Sequence, residues 1–120
     1  MKTININRDE TTSIPFAITD SANGLLNMRV TWSVATGVSG PRLVRKVGGL
    51  PGSTSDITIT SQSAGQIDGA INLGSADYAV LTAGRYLATL WIDDGAGVDR
   101  CVTPGGADEL VIVGNVPRAA

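Results

Sequence analysis

The stretch LNMRVTWSV, residues 26–34, decides how this chain folds. Leu26, Met28, Val30, Trp32 and Val34 alternate with Asn27, Arg29, Thr31 and Ser33, so apolar side chains recur at every second position. Successive side chains of an extended strand point to opposite faces, and such a run buries one face and leaves the other polar. A helix would spread the same apolar residues around its circumference. The stretch is therefore predicted to be a strand that carries Trp32 into the core.

The same period recurs outward in both directions. TSIPFAIT (12–19) alternates Ile14, Phe16 and Ile18 with Pro15 and Ala17, and Pro15, which has no N–H to donate, requires an edge or a bulge there. TINI (3–6) offers Ile4 and Ile6, DITIT (56–60) offers Ile57 and Ile59, and QIDGAINL (66–73) offers Ile67, Ile71 and Leu73 with Gly69 between them. RYLATLWI (85–92) places Tyr86, Ala88, Leu90 and Ile92 on one face and Trp91 on the other. VDRCV (98–102) and ELVIV (109–113) complete the set. Turn-forming residues separate the runs at DSANG (20–24), SQSAG (61–65), TAG (82–84) and DDGAG (93–97). Short strands joined by such turns predict an antiparallel sandwich. GSADYAVL (74–81) is long enough for a single helical turn bridging two strands. The segment 35–56 is the least regular, with RLVRKV (42–47) read as an exposed strand inside it, and the tail NVPRAA (115–120) is read as an arm.

Composition excludes several kinds of chemistry. Histidine is absent, which removes the usual general base near neutral pH and the commonest transition-metal ligand. The single cysteine, Cys101, permits neither an intramolecular disulfide nor a paired-cysteine zinc site, and it is expected to be a small buried filler in a strand. Nine basic residues against 11 acidic ones give a net charge of −2, with no basic surplus to hold a phosphate backbone, so nucleic acid is not expected as a partner. No run approaches the ~20 apolar residues that span a bilayer. MKTININRDETT has no apolar stretch of signal-peptide length before Arg8, and the chain is expected to be made and kept in the cytoplasm.

Few residues stand out as chemical candidates. Asp93, Asp94, Gly95 and Asp99 supply three carboxylates around a glycine turn without the spacing of a calcium loop, and the reading preferred is a hairpin bend. Asp9 and Glu10 read as a solvated loop. Arg42, Arg45 and Lys46 form the one basic cluster, suited to an acidic partner surface or simply to solvent. Trp91, placed opposite Tyr86 and Leu90, is a candidate interface anchor.

Taken together, NRDETTSIPFAITD, LLNMRVTWSV, RLVRKV, DITIT, AGQIDGAINLGSADYAVLTAGRYLATLWIDD and ELVIV resemble, in order, the immunoglobulin-like modules of tailed-phage virion proteins, such as the N-terminal domain of baseplate upper proteins and small head and tail proteins. The resemblance covers nearly the whole chain and is strongest over 64–94; RDET lacks the family's glycine, and the segment 35–56 is longer than in the family. It implies an all-β, antiparallel immunoglobulin-like β-sandwich of about 7–9 strands, one domain over 1–120 with short terminal arms. The function it implies is a non-enzymatic virion structural protein without a cofactor, a capsid decoration or cement protein that stabilises the head by binding major capsid protein. The alternative it leaves is a tail or baseplate adaptor or adhesin, carbohydrate-binding through Trp91 or Tyr78; a hydrolase using Asp93 and Asp94 is the remaining reading. Expected partners are major capsid protein or other virion proteins and further copies of the chain, with no nucleic acid and no membrane, and the expected location is the virion. The contact residues expected are Arg42, Arg45, Lys46 and Trp91, with Ile4 and Ile6 in the arm MKTININ and Val116 and Pro117 in the arm NVPRAA. An extended arm could add a strand to a neighbouring sheet edge.

Overall fold

Alternation becomes strand wherever it is strict. In the computed structural model, which describes residues 2–7, 10–19, 24–25, 28–37, 40–48, 56–93, 99–103 and 106–114, Val30, Trp32 and Val34 are buried on strand β3 (Arg29–Ala35). Leu26, part of the predicted run, lies outside the described residues. Tyr86, Ala88 and Ile92 are buried on β7 (Gly84–Asp93), and β6 (Gln66–Leu73) buries Ile67, Ile71 and Leu73. The remaining strands are β1 (Thr3–Asn7), β2 (Thr12–Thr19), β4 (Arg42–Gly48), β5 (Ile57–Gln62), β8 (Asp99–Cys101) and β9 (Asp108–Val113). The single turn α1 (Ser75–Tyr78) joins β6 to β7, as its length predicts.

Two sheets face each other. One has the order β1-β9-β7-β3-β4, with β8 also on β7, and the other has the order β2-β6-β5. The pairing of β1 with β9 is parallel and every other pair among the described strands is antiparallel. Pro15 sits on β2, an edge strand, as its missing donor requires. Gly69, opposite Phe16, has to be glycine: a Cβ there would stand 2.4 Å from the Thr58 carbonyl oxygen and 2.9 Å from the Phe16 ring.

Between the sheets lie features that mark immunoglobulin-like sandwiches. Trp32, 3% exposed, is the buried tryptophan of a strand inside the larger sheet. The Tyr86 hydroxyl, at the start of β7, donates to the Thr82 carbonyl at 2.8 Å, the tyrosine corner of such folds. Two residues on, where antibody domains place a half-cystine, this chain has Ala88. A partly open cleft of about 40 Å³, which Lys2, Pro15 and Asp108 line at the margin of the sheets, reaches in to Ala88, Trp32, Ile14 and Ile71. Packing alone holds the two sheets together at this point.

Three expectations need correction. The first residues are not a free arm: Thr3–Asn7 is a strand of the larger sheet, and Ile6, expected at an interface, is 3% exposed in the core. Ile4 is half-buried against that core. The strand 42–47 is not uniformly exposed, because Val44 and Lys46 share a parity that faces inward, and Lys46 is only 9% exposed. Its ammonium lies 2.9 Å from the Asp77 carboxylate, which also accepts the Gly74 N–H at 2.9 Å and so caps α1. Asp56 adds a more distant carboxylate at 3.9 Å. Cys101, finally, is half-buried instead of buried, and its thiol donates to the Gly106 carbonyl at 3.6 Å. Val116 and Pro117 of the expected C-terminal arm, residues 94–97 of the expected hairpin bend and Val98 of the expected strand after it lie outside the described residues.

Removing Asp77 strips the cap from α1 and leaves the Lys46 charge buried. Asp77→Ala is therefore expected to lower the unfolding free energy by about 3 kcal/mol. Lys46→Met leaves a carboxylate that keeps its amide donor and is expected to lower it by only about 1–2 kcal/mol; urea denaturation of both variants checks the order. Tyr86→Phe, which deletes one hydroxyl at the corner, is expected to lower it by about 1 kcal/mol in the same measurement.

Candidate interaction face

The outward parity of the larger sheet carries the residues that the core does not use. On β7 these are Arg85, Leu87, Thr89, Trp91 and Asp93, and on β3 they are Arg29, Thr31, Ser33 and Ala35. Because β3 presents only small side chains between its arginine and its end, the sheet is hollowed between β7 and β4. The hollow has a volume of about 310 Å³ and is lined by Thr31, Ser33, Arg42, Arg45, Trp91 and Asp93. A second hollow of about 290 Å³ shares Ser33, Arg42 and Trp91 and extends over Ala35, Leu87 and Ala107. The two form one trough with an aromatic wall on β7 and a cationic wall on β4.

Local hydrogen bonds set the aromatic wall. The Trp91 indole N–H donates to the Thr89 hydroxyl at 3.0 Å, which ties the ring down along its own strand while leaving the residue 38% exposed. The β7 edge next to it is covered in two pieces, with β9 on Gly84–Ala88 and β8 on Trp91–Asp93. Between them the Leu90 N–H donates to the Thr103 hydroxyl at 2.7 Å, and the Gly106 N–H closes a turn onto the Thr103 carbonyl at 2.9 Å. Gly106 has φ of +90°, a left-handed conformation that favours glycine, and it lines the trough there.

The structure brings together Arg42, Arg45 and Trp91, three of the residues singled out from sequence, and removes Lys46, Ile6 and Tyr78 from them. Neither Arg42 nor Arg45 has an ion-pair partner among the described residues. Tyr78, considered above as a sugar contact, is 1% exposed and donates its hydroxyl to the Glu10 carbonyl at 2.7 Å. Asp93 is bound by Arg29, whose Nε lies 3.3 Å from one carboxylate oxygen while Nη2 reaches the other. β8 opposes β7 with Asp99 across from Asp93. Among the described residues there is no group of three histidine, cysteine or acidic side chains that could hold a metal. No described helix is long and apolar enough to cross a membrane. The sequence places Thr31 and Ser33 on the polar face of their strand without marking them, Leu87 or Ala107 as site residues; parity alone assigns Leu87 and Thr89 to the Trp91 face, but only the strand register shows which residues of β3 and β4 stand beside them.

No protein-family model and no curated protein matches the chain. Solved structures do. One, from photo-crosslinking work on the multimeric cell-adhesive interactions of voltage-gated sodium channel β subunits, is 15% identical over 93% of this chain and 91% of its own, with a TM-score of 0.52. Another, an extracellular domain of the sodium channel β4 subunit described as a parallel homodimer with a role in cell–cell adhesion, is 17% identical over 97% of this chain and 95% of its own, with a TM-score of 0.41. The fold is an immunoglobulin-like β-sandwich. The first of these corrects the expectation of a capsid decoration protein, and of a tail or baseplate adaptor as its alternative: the solved fold it offers is that of a cell-adhesive channel subunit, and it lends nothing to a capsid partner.

The two tryptophans report separately on the core and on this face. In Trp91→Phe the remaining Trp32 fluorescence is expected to be blue-shifted and protected from iodide, whereas in Trp32→Phe the remaining Trp91 emission is expected to be red-shifted and readily quenched.

Proposed function

We propose that this chain is a non-catalytic adhesion module that works by protein–protein contact through the outer face of its larger sheet, with association between copies among its modes. The observation that carries this reading is the Trp91 trough: an exposed, hydrogen-bonded aromatic on a rigid strand, bordered by small residues and by Arg42 and Arg45. Tryptophan and arginine are the side chains that most often dominate binding at protein interfaces. Burying Thr31, Ser33 and Ala35 against a partner displaces water without stranding a charge.

Two further points support a binding role without turnover. With no histidine in the chain, the hydroxyls of the trough have no neutral-pH base beside them, and Asp93, the carboxylate that lines it among the described residues, is held by Arg29. The cell-adhesive interactions named for the matching sodium channel β subunits belong to those proteins and agree with the reading.

Beads coated with the chain test it, set against surfaces carrying the same chain or protein extracts of its source. Trp91→Asp is expected to reduce adhesion at least tenfold, in line with the loss of a hot-spot residue. Val80→Asp, which alters an exposed apolar residue at the corner after α1, is expected to leave adhesion unchanged. Equal losses in both variants, or full adhesion by Trp91→Asp, would overturn the assignment of the face.

A further inference from the structure

We infer that the partner seated on this face is a second copy of the same chain, related by a two-fold axis parallel to the strands that passes between β3 and β7. The inference rests on the face assigned under the proposed function and names its occupant.

The argument comes from rows read across the sheet. Strand pairing places Arg42, Ala35, Leu87, Glu109 and Thr3 side by side on one line, cationic toward one end, apolar in the middle and anionic toward the other. A second line runs Val47, Thr31, Trp91, Cys101, and a third pairs Arg29 with Asp93. On β3, β7 and β9 these positions alternate with the buried ones, and the register irregularity at Val34 and Ala35 turns Arg42 to the same outer face.

An axis parallel to the strands lays each row on its own reverse, β3 over β7 and β4 over β9. Arg42 then meets Glu109 of the second copy, Ala35 meets Leu87, Thr31 meets Trp91, and Arg29 meets Asp93. Each of these cations faces a carboxylate, and the one large aromatic faces a small side chain. The other two-fold that brings these faces together runs across the strands. It lays β4 on β4 and sets the Arg42 and Arg45 charges against themselves, an opposition that costs affinity. Complementarity of charge and size therefore selects the parallel arrangement.

Glu109 is able to take the extra contact. Its present partners are Arg85, bound at 3.2 Å with a side chain 74% exposed in a surface pair of the weak kind, and the Thr3 hydroxyl, which donates at 3.4 Å, and a carboxylate has room for several donors. The sheets of two packed copies cross at about 30°, which shifts the row ends by a few ångström, within the span of an arginine side chain. The four strands that overlap, about 4.8 Å apart and roughly seven residues long, give a flat face on the order of 450 Å². That is below the ~800 Å² per partner of a standard interface, so the pairing is weak and must be measured at high concentration.

Complementary charge reversal separates this geometry from general stickiness. Arg42→Glu sets carboxylate against carboxylate at both symmetry-related contacts, and Glu109→Arg sets guanidinium against guanidinium there. Each variant alone is therefore expected to self-associate about tenfold more weakly than the wild type in sedimentation equilibrium. In an equal mixture, a heterodimer of the two variants has one contact between the two wild-type side chains and one between the two substituted ones. Both are opposite-charge pairs, and near wild-type affinity is expected. Melting curves of each variant, expected to stay close to the wild type, keep misfolding out of the comparison. A wild type that remains monomeric at millimolar concentration, single variants that associate as well as the wild type, or a mixture no tighter than its components would each overturn the inference. In any of those cases a Trp91-dependent adhesion to another protein would still stand, so failure of the second copy as partner is distinguishable from failure of the face.

Discussion

The pairing of β3 with β7 is the constraint on which the rest depends. Val34 lies opposite Ala88 and Trp32 opposite Leu90, all turned toward the smaller sheet, while Thr31 and Trp91 pair on the far side. A slip of one residue would set Trp32 and Trp91 on the same face, either turning Trp32 out to solvent or forcing Trp91 into a core that already has its tryptophan. Burial of Trp32 therefore fixes which side chains are left outside. The trough is the remainder of that choice, and its position needs no separate specification.

The same logic explains why a charged pair is kept inside. Lys46 shares its parity with Val44 and Gly48, so β4 cannot join β3 in this register without turning an ammonium inward. Asp77, on the turn between β6 and β7, answers that charge and caps its own helix with the same carboxylate. A buried ion pair adds little net stability over apolar residues of similar size, but a slip of two residues would keep the ammonium inward and take it away from Asp77, at a much greater cost. The pair thus acts against misregistration of the edge strand, and in doing so it holds Arg42 and Arg45 on the outer side.

Much of the fold was legible from period two, and the limits of that legibility are physical. β2, β3, β6 and β7 read correctly because their alternation is strict and one face is buried. RLVRKV breaks the pattern with adjacent apolar residues, and a register irregularity near Val34 and Ala35 shifts its phase, so Lys46 looked like a third member of a surface cluster. Its partner stands 31 residues away, a distance over which no local pattern reports. Ile6 reads as part of an arm in the sequence because its strand is completed only by parallel pairing with β9, at the other end of the chain. Trp91 and the two arginines were individually visible. Their assembly into one trough depends on three strands in register, and the resemblance that suggested a virion role rested on turn glycines and core apolar positions, which certify architecture and leave function open.

The composition of the outer face suits a surface that has to survive both in water and against a partner. A broad apolar patch would associate indiscriminately, and soluble proteins keep such patches small. Here the apolar side chains of Trp91, Leu87 and Ala35, with Val47 and Val113 toward the margins, are interrupted by Thr89, Thr31 and Ser33, whose short hydroxyls are hydrated when alone and need a hydrogen-bond partner when covered. Arginines at one margin and Glu109 at the other add direction, because opposite charges favour one alignment of an approaching surface and oppose the rest. A face built this way gains selectivity from its rim and affinity from one aromatic. The weak binding expected of it suits a role in which many copies act side by side, since linked weak contacts add to strong attachment while each remains individually reversible.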